Sequence, residues 1–163
     1  LIAALFNPTN PTNPAFLENL RTKAKARGMT VLPFELRSPD ALDAAFAVLG
    51  SNHPDTLQVI SDSGTLDLSD RIAALALAHR IPSFATSSIF AELGGLMAYG
   101  ASRRQLFIRA AYFVKKILDG ANPGDLPVEQ PRQIELMLNM TTAKALGLSI
   151  PLQLQQLADE VIE

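Results

Sequence analysis

Cysteine is absent from the 163 residues, which excludes disulfides, thiolate metal sites and cysteine nucleophiles and leaves the redox compartment open. Histidine is scarce, with two residues only, His53 and His79. His53 sits in a Ser-Asn-His-Pro turn and His79 in the last turn of a predicted helix, where a cation suits the dipole, so both read as local structure. No apolar run approaches the ~20 residues that a bilayer span needs. Neither sign of charge dominates. Fourteen Lys plus Arg stand against 16 Asp plus Glu, a net charge of −2, and the pI near 5.7 argues against binding to phosphate backbones or anionic membranes. Also missing are GxGxxG, GxxxxGK[ST] and the GxSxG elbow, so no dinucleotide fingerprint, P-loop or activated serine is present.

What remains is the composition of a packed globular protein, 48% hydrophobic and 18% charged, with the length of one ordinary domain. There is no initiator Met, and Leu1 to Phe6 begins at once as an apolar run that reads as a buried strand. It lacks the basic n-region and small-residue cleavage site of a signal peptide, so the chain reads as a segment of a longer protein. Strand-like runs at Leu1–Phe6, Thr30–Leu36, Thr56–Ser61 and Pro82–Ala85 alternate with helical patterns. Asn13 is expected to cap the first helix, with Pro14 at its first position. Ser38 is expected to cap the second and Gly50 to stop it, and Asp67 or Ser69 to cap the third. Leu96–Tyr99 reads as a short strand and Ser102–Leu118 as the longest helix. Ile134, Leu136 and Leu138 mark a sheet-edge strand, and short helices follow at Thr141–Leu146 and after Pro151. The alternation predicts βαβ units and a Rossmann-like parallel sheet with helices on both faces, in flavodoxin-like order up to about Ala98.

Ligands of such sheets bind outside the carboxyl ends of the strands. That rule selects four exit loops: Asn7 to Asn13, Asp62 to Thr65, Thr86 to Ser88, and Tyr99 to Ser102. Within them Asn7, Asn10, Asp62, Ser63 and Tyr99 are the candidate ligand-binding residues. Their amides, hydroxyls and single carboxylate suit a small polar solute and offer no nucleophile–base pair, so no catalytic residue, metal site or cofactor is assigned. For Asp62 two roles stand side by side, an Asx-turn residue and a ligand contact. A receiver-type phosphoacceptor is excluded there, because Asn7, Pro8, Thr9 and Asn10 replace the acids that would hold magnesium. Arg103, Arg104, Arg109, Lys115 and Lys116 share one helix without an aromatic stacking platform, which describes a solvated face and no nucleic-acid partner.

Several stretches resemble the ABC-transporter substrate-binding proteins of the tryptophan/tyrosine type. They are Gly94-Gly95-Leu96-Met97-Ala98-Tyr99-Gly100, the helix segment Ala110 to Ala121, Asp125 to Pro131, and the tail Asn139 to Leu148 with Ile150-Pro151 and Ala158 to Glu163. Leu5-Phe6-Asn7-Pro8-Thr9-Asn10-Pro11 is similar to the strand and exit loop that open the family's second lobe. The resemblance implies a type I periplasmic-binding fold, of which this chain is the C-terminal half. Residues 1–98 would form the second-lobe ligand-binding domain, and 99–163 a crossover segment, a long helix and C-terminal elements returning to the missing lobe. It further implies a solute receptor that works with a membrane permease in the periplasm or on a lipid anchor. Asn7, Asn10, the Asp62-Ser63 loop and Tyr99 would face an interlobe cleft holding an amino acid or related solute. Ser61-Asp62-Ser63-Gly64 departs from the Pro-Asp-Pro-like loop of many relatives, and the ligand stays unassigned. A sensor domain of the same fold and a small α/β hydrolase are the alternative readings. The long helix, apolar nearly all round, is expected to find a partner, either the N-terminal lobe or a second copy.

Overall fold

In the computed structural model, which describes residues 1–163, seven strands form one sheet in the order β2-β1-β3-β4-β5-β6-β7. They are β1 Ile2–Phe6, β2 Val31–Glu35, β3 Thr56–Val59, β4 Ser83–Ala85, β5 Met97–Ala101, β6 Ile134–Asn139 and β7 Glu160–Ile162. The first five are parallel neighbours, in the order 2-1-3-4-5 that the alternation predicts. β1 lies inside the sheet and under helices on both faces, which is why all five of its residues are apolar and buried.

The helices divide between the two faces. Helix α1 (Asn13–Lys25) follows β1 and presents Leu17, Leu20 and Ala24 at helical spacing. These pack on Ile2, Ala4 and Phe6. Ala3 and Leu5, pointing the other way, meet α2 (Leu42–Asn52), α4 (Ser69–Ala78) and α5 (Ser88–Glu92) through Leu42, Phe46, Leu49, Ile72, Ala76 and Phe90. A short helix α3 (Ser63–Leu66) stands between β3 and α4. Chain order then runs through α6 (Arg103–Leu118), α7 (Met140–Leu146) and α8 (Leu152–Leu157).

Several local expectations are corrected. Thr12, not Asn13, occupies the cap position of α1, and Asn13 is its first helical residue, buried with its side chain turned inward. Ser38 makes no capping bond and precedes a 3₁₀ turn, Pro39–Ala41, that leads into α2. Gly50 does not stop α2, because it lies under the His79 ring where small size matters more than helix propensity. The helix runs on to Asn52 and ends at His53 in left-handed conformation, φ 45°, with Pro54 beyond it barring continuation. Neither Asp67 nor Ser69 caps the third helical segment. That helix is α4, with Leu68 at its cap position and the Ser69 hydroxyl donating back to the Thr65 carbonyl, while Asp62 caps the separate short helix α3.

The largest difference concerns the edge. β6 is an inner strand, antiparallel to β5 and parallel to β7. Three-residue β7 is the edge, too short to show a strand period in the sequence. β5 spans residues 97–101, so the sheet continues without interruption across the 98/99 position. Register carries Ala4, Gln58, Phe84, Met97, Leu138 and Val161 across the sheet in one row. Toward the β5–β7 end of that face Leu138 is buried, while Tyr99, Ile134 and Val161 are exposed. Helix α6 stands away from the sheet with none of its 16 residues buried.

Candidate functional site

The chain crosses from β1 to β2 on one side and returns to β3 on the other, so the strand order reverses at β1. The carboxyl ends of β1 and β3 flank this switch point, where open α/β sheets take their ligands. Two loops emerge there, Asn7 to Thr12 and Ile60 to Asp62. The first is built from Asn-Pro-Thr repeats. Asn7 Oδ1 accepts from the Thr9 N–H at 2.9 Å and from its hydroxyl at 2.7 Å. Asn10 does the same to Thr12, at 3.0 and 2.8 Å. These are Asx turns, the local chemistry that Asn favours.

The second loop is shaped by Asp62. Its Oδ1 accepts from the Thr65 N–H at 3.0 Å while the Thr65 hydroxyl accepts from the Asp62 N–H at 2.9 Å, a reciprocal capping box. Its Oδ2 accepts from Asn13 Nδ2 at 2.9 Å and from Asn10 Nδ2 at 3.3 Å. Burial acts to raise the Asp62 pKa, but the Thr65 N–H and the Asn10 and Asn13 amides outweigh it and hold the carboxyl below its ordinary value. Both carboxylate oxygens therefore already serve protein donors.

The groups left over are donors and hydroxyls. Asn7 Nδ2 makes no hydrogen bond within the protein and lies 3.4 Å from where a Cβ on Gly64 would stand. Ser63 is exposed. In the neighbouring exit loop of β4, Ser87 Oγ is the single buried side-chain polar atom without a partner, and such an orphan calls for an explanation. Tyr99 lies on β5, two strands from β3, paired with Leu136 and 59% exposed. It shares the carboxyl end of the sheet with the loops but joins none of their hydrogen bonds. Asn7, Asn10, Asp62 and Ser63 thus come together, and Tyr99 stands to one side.

Three members of this constellation, Asn13, Thr65 and Ser87, stood in the sequence reading only within exit loops, without a site role; the fold brings the first two to Asp62. The sequence signal for Asn13 is the third Asn-Pro of the repeat, which lacks the Thr that closes the first two. His53 and His79 precede β3 and β4 and so lie at the opposite, amino end of the sheet. A cavity of about 550 Å³ lies between α6 and the segment Glu129–Gln133. Of the exit-loop residues only Ser102 lines it. Arg109 crosses it, pairing with Glu129 and stacking 4.0 Å from the Tyr112 ring centroid.

The family model of the ABC transporter substrate binding protein matches residues 1–162. The chain belongs to that family. A tyrosine-binding protein from Clostridioides difficile (strain R20291) is 22% identical over 147 residues, 90% of this chain and 42% of that protein. Among solved structures, an ABC domain in complex with L-Trp from Streptococcus pneumonia superposes with a TM-score of 0.89 at 23% identity, covering 99% of this chain and 54% of the other. A conserved domain protein from Vibrio cholerae O1 biovar El Tor gives 0.88 at 22% identity, covering 98% and 54%. A ligand-free, open substrate-binding protein with adhesive properties from Clostridium difficile gives 0.74 at 22% identity, covering 99% and 54%. These likenesses establish the α/β lobe of a periplasmic-binding fold. The chain spans about half the length of the relatives it matches. No helix is long and apolar enough to cross a membrane.

Proposed function

We propose that this substrate-binding chain is the ligand-holding half of a solute receptor for an ABC importer, working in the periplasm or on a lipid anchor. It holds a small polar solute, of the amino-acid class, against the exit loops of β1, β3 and β4, with Tyr99 at the rim. Residues 1–98 carry the recognition loops, and residues 99–163 carry the crossover and α6. A companion lobe closes the cleft. The exposed apolar residues of α6, with Tyr99, Ile134 and Val161 on the sheet, support this, since clustered exposed apolar surface marks an interface.

The observation that carries the reading is the set of donors left unpaired at the switch point. Asn7 Nδ2 and the Ser63 hydroxyl can both donate to an acceptor group of the solute. Asp62, with both oxygens engaged, shapes this surface, so the solute's carboxylate faces these loops and its ammonium faces the companion lobe or Tyr99. The tyrosine- and tryptophan-binding relatives are consistent with such a ligand. No nucleophile–base pair accompanies the donors, so the solute is released unchanged.

Titration of the isotopically labelled chain with L-tyrosine and L-tryptophan, followed by amide NMR, tests this even at millimolar affinity. The expected result is saturable shifts confined to Asn7, Asn10, Ser63, Gly64, Ser87 and Tyr99, with no chemical change of the solute. Shifts elsewhere, none at all, or turnover would sink the reading.

A further inference from the structure

The first exit loop reads Asn7-Pro8-Thr9, Asn10-Pro11-Thr12, Asn13-Pro14-Ala15. Two repeats close on themselves through their threonines, and the third cannot, because Ala15 has no hydroxyl. Asn13 is instead buried at 3% exposure. Its Nδ2 donates to the Asn7 carbonyl at 2.9 Å and to Asp62 Oδ2 at 2.9 Å, using both amide hydrogens. The last backbone bond between the two exit loops runs from the Ile60 N–H to the Leu5 carbonyl. Beyond it the loops are joined by hydrogen bonds from Asn10 and Asn13 to Asp62 alone.

We propose that Asn13 is the positioning residue of the recognition surface: through Asp62 it latches the β1 exit loop to the β3 exit loop, so that the two loops behave as one body. Asn7 sits at the centre of that body, with its carbonyl held by Asn13 and its amide over Gly64. The latch keeps this unpaired amide and Ser63 at a fixed separation. In its bearing on solute, the proposal rests on the functional reading above; the latch itself is testable without any solute.

The isosteric substitution Asp62→Asn separates the two jobs of this side chain. Asparagine caps a helix as well as aspartate, so Oδ1 can still accept from Thr65. Its Nδ2 then confronts the amides of Asn10 and Asn13, donor against donor, and the latch is lost while the cap survives. Hydrogen exchange of the whole chain, in wild type, Asn13→Ala, Asp62→Asn and the double variant, reads the outcome. Each single variant is expected to speed exchange of the Thr9, Asn10, Thr12 and Asn13 amides at least tenfold, with the Leu5 and Leu57 amides nearly unchanged. The double variant is expected to be no faster than the singles, as for two ends of one interaction. Unchanged exchange at residues 9–13 in Asp62→Asn, or additive effects, would overturn the latch.

The same variants titrated with L-tyrosine and L-tryptophan divide the remaining outcomes. Wild-type binding that weakens at least tenfold in Asp62→Asn and Asn13→Ala supports the positioning role. Full binding by variants whose loops have come uncoupled overturns it. Coupled loops in a wild-type chain that binds neither probe would overturn the functional reading and leave the latch standing.

Discussion

A Cβ on Gly100 would stand 1.8 Å from the Thr86 carbonyl oxygen. β5 thus passes so close to the exit loop of β4 that only glycine fits, and this contact sets where Ser87 and Tyr99 lie relative to one another. Gly100→Ala must push the Thr86 backbone away, and backbone yields less readily than a side-chain tip. The expected loss is roughly 1–3 kcal/mol or more, as for overpacked sites, read as a lower urea midpoint with an unchanged slope. An alanine variant as stable as wild type would show that the β4 exit loop is not held by this contact.

Asp62 has its pKa depressed in the folded chain, so its contribution to stability has a definite sign with pH. It is fully present above the unfolded-state pKa of about 3.9 and is lost as pH falls through the lower folded value. No charged side chain pairs with it, and its partners Asn10, Asn13 and Thr65 do not titrate. The stability difference between wild type and Asp62→Asn should therefore be constant at neutral pH and shrink on acidification below about pH 4. Denaturation at a series of pH values checks it. A difference that grows toward acid would contradict the hydrogen-bond assignment.

His53 ends α2 at φ 45°, a region that costs a non-glycine residue about 1–2 kcal/mol. Glycine relieves that strain and gives back part of the gain through its freer unfolded state. His53→Gly is expected to raise stability by about 0.5 kcal/mol, seen as a small rise in Tm, and to leave solute binding unchanged. Lower binding would assign His53 a role that its place at the amino end of the sheet does not support.

Two apolar residues of similar character should behave in opposite ways. Phe46 is fully buried between α2 and the sheet, and Phe46→Ala should cost about 3–5 kcal/mol. Leu118, at the end of α6, is 80% exposed, and Leu118→Gln should change stability by less than about 0.5 kcal/mol. Thermal unfolding of the two variants distinguishes them. A large loss at Leu118 would show that α6 is packed against something in solution.

The sequence by itself determined the alternating elements up to β5 and their layering. β1 had to be central, because a strand apolar at every position is stable only between two helical layers. The helical spacing of Leu17, Leu20 and Ala24, and the Pro and Asn of the first loop, marked what packs and what turns. Strand alternation then placed Asn7, Asn10 and the Asp62-Ser63 loop at the carboxyl end of the sheet. Those inferences rest on period and turn chemistry within about ten residues of chain. Tertiary structure decided the partners. Asn13 read as a helix cap until the fold brought Asp62 to it across 49 residues of sequence. Asp62 read equally as a turn residue and a ligand contact, and only the fold shows that its two oxygens accept from Thr65, Asn10 and Asn13. β6 read as an edge strand because its alternation shows only which faces it offers, not that a three-residue β7 will pair beyond it. His53, rather than Gly50, ended α2 because the His79 ring required a small residue beneath it. In each case the deciding group comes from a distant segment, and its effect exists only once the sheet has set the two segments side by side.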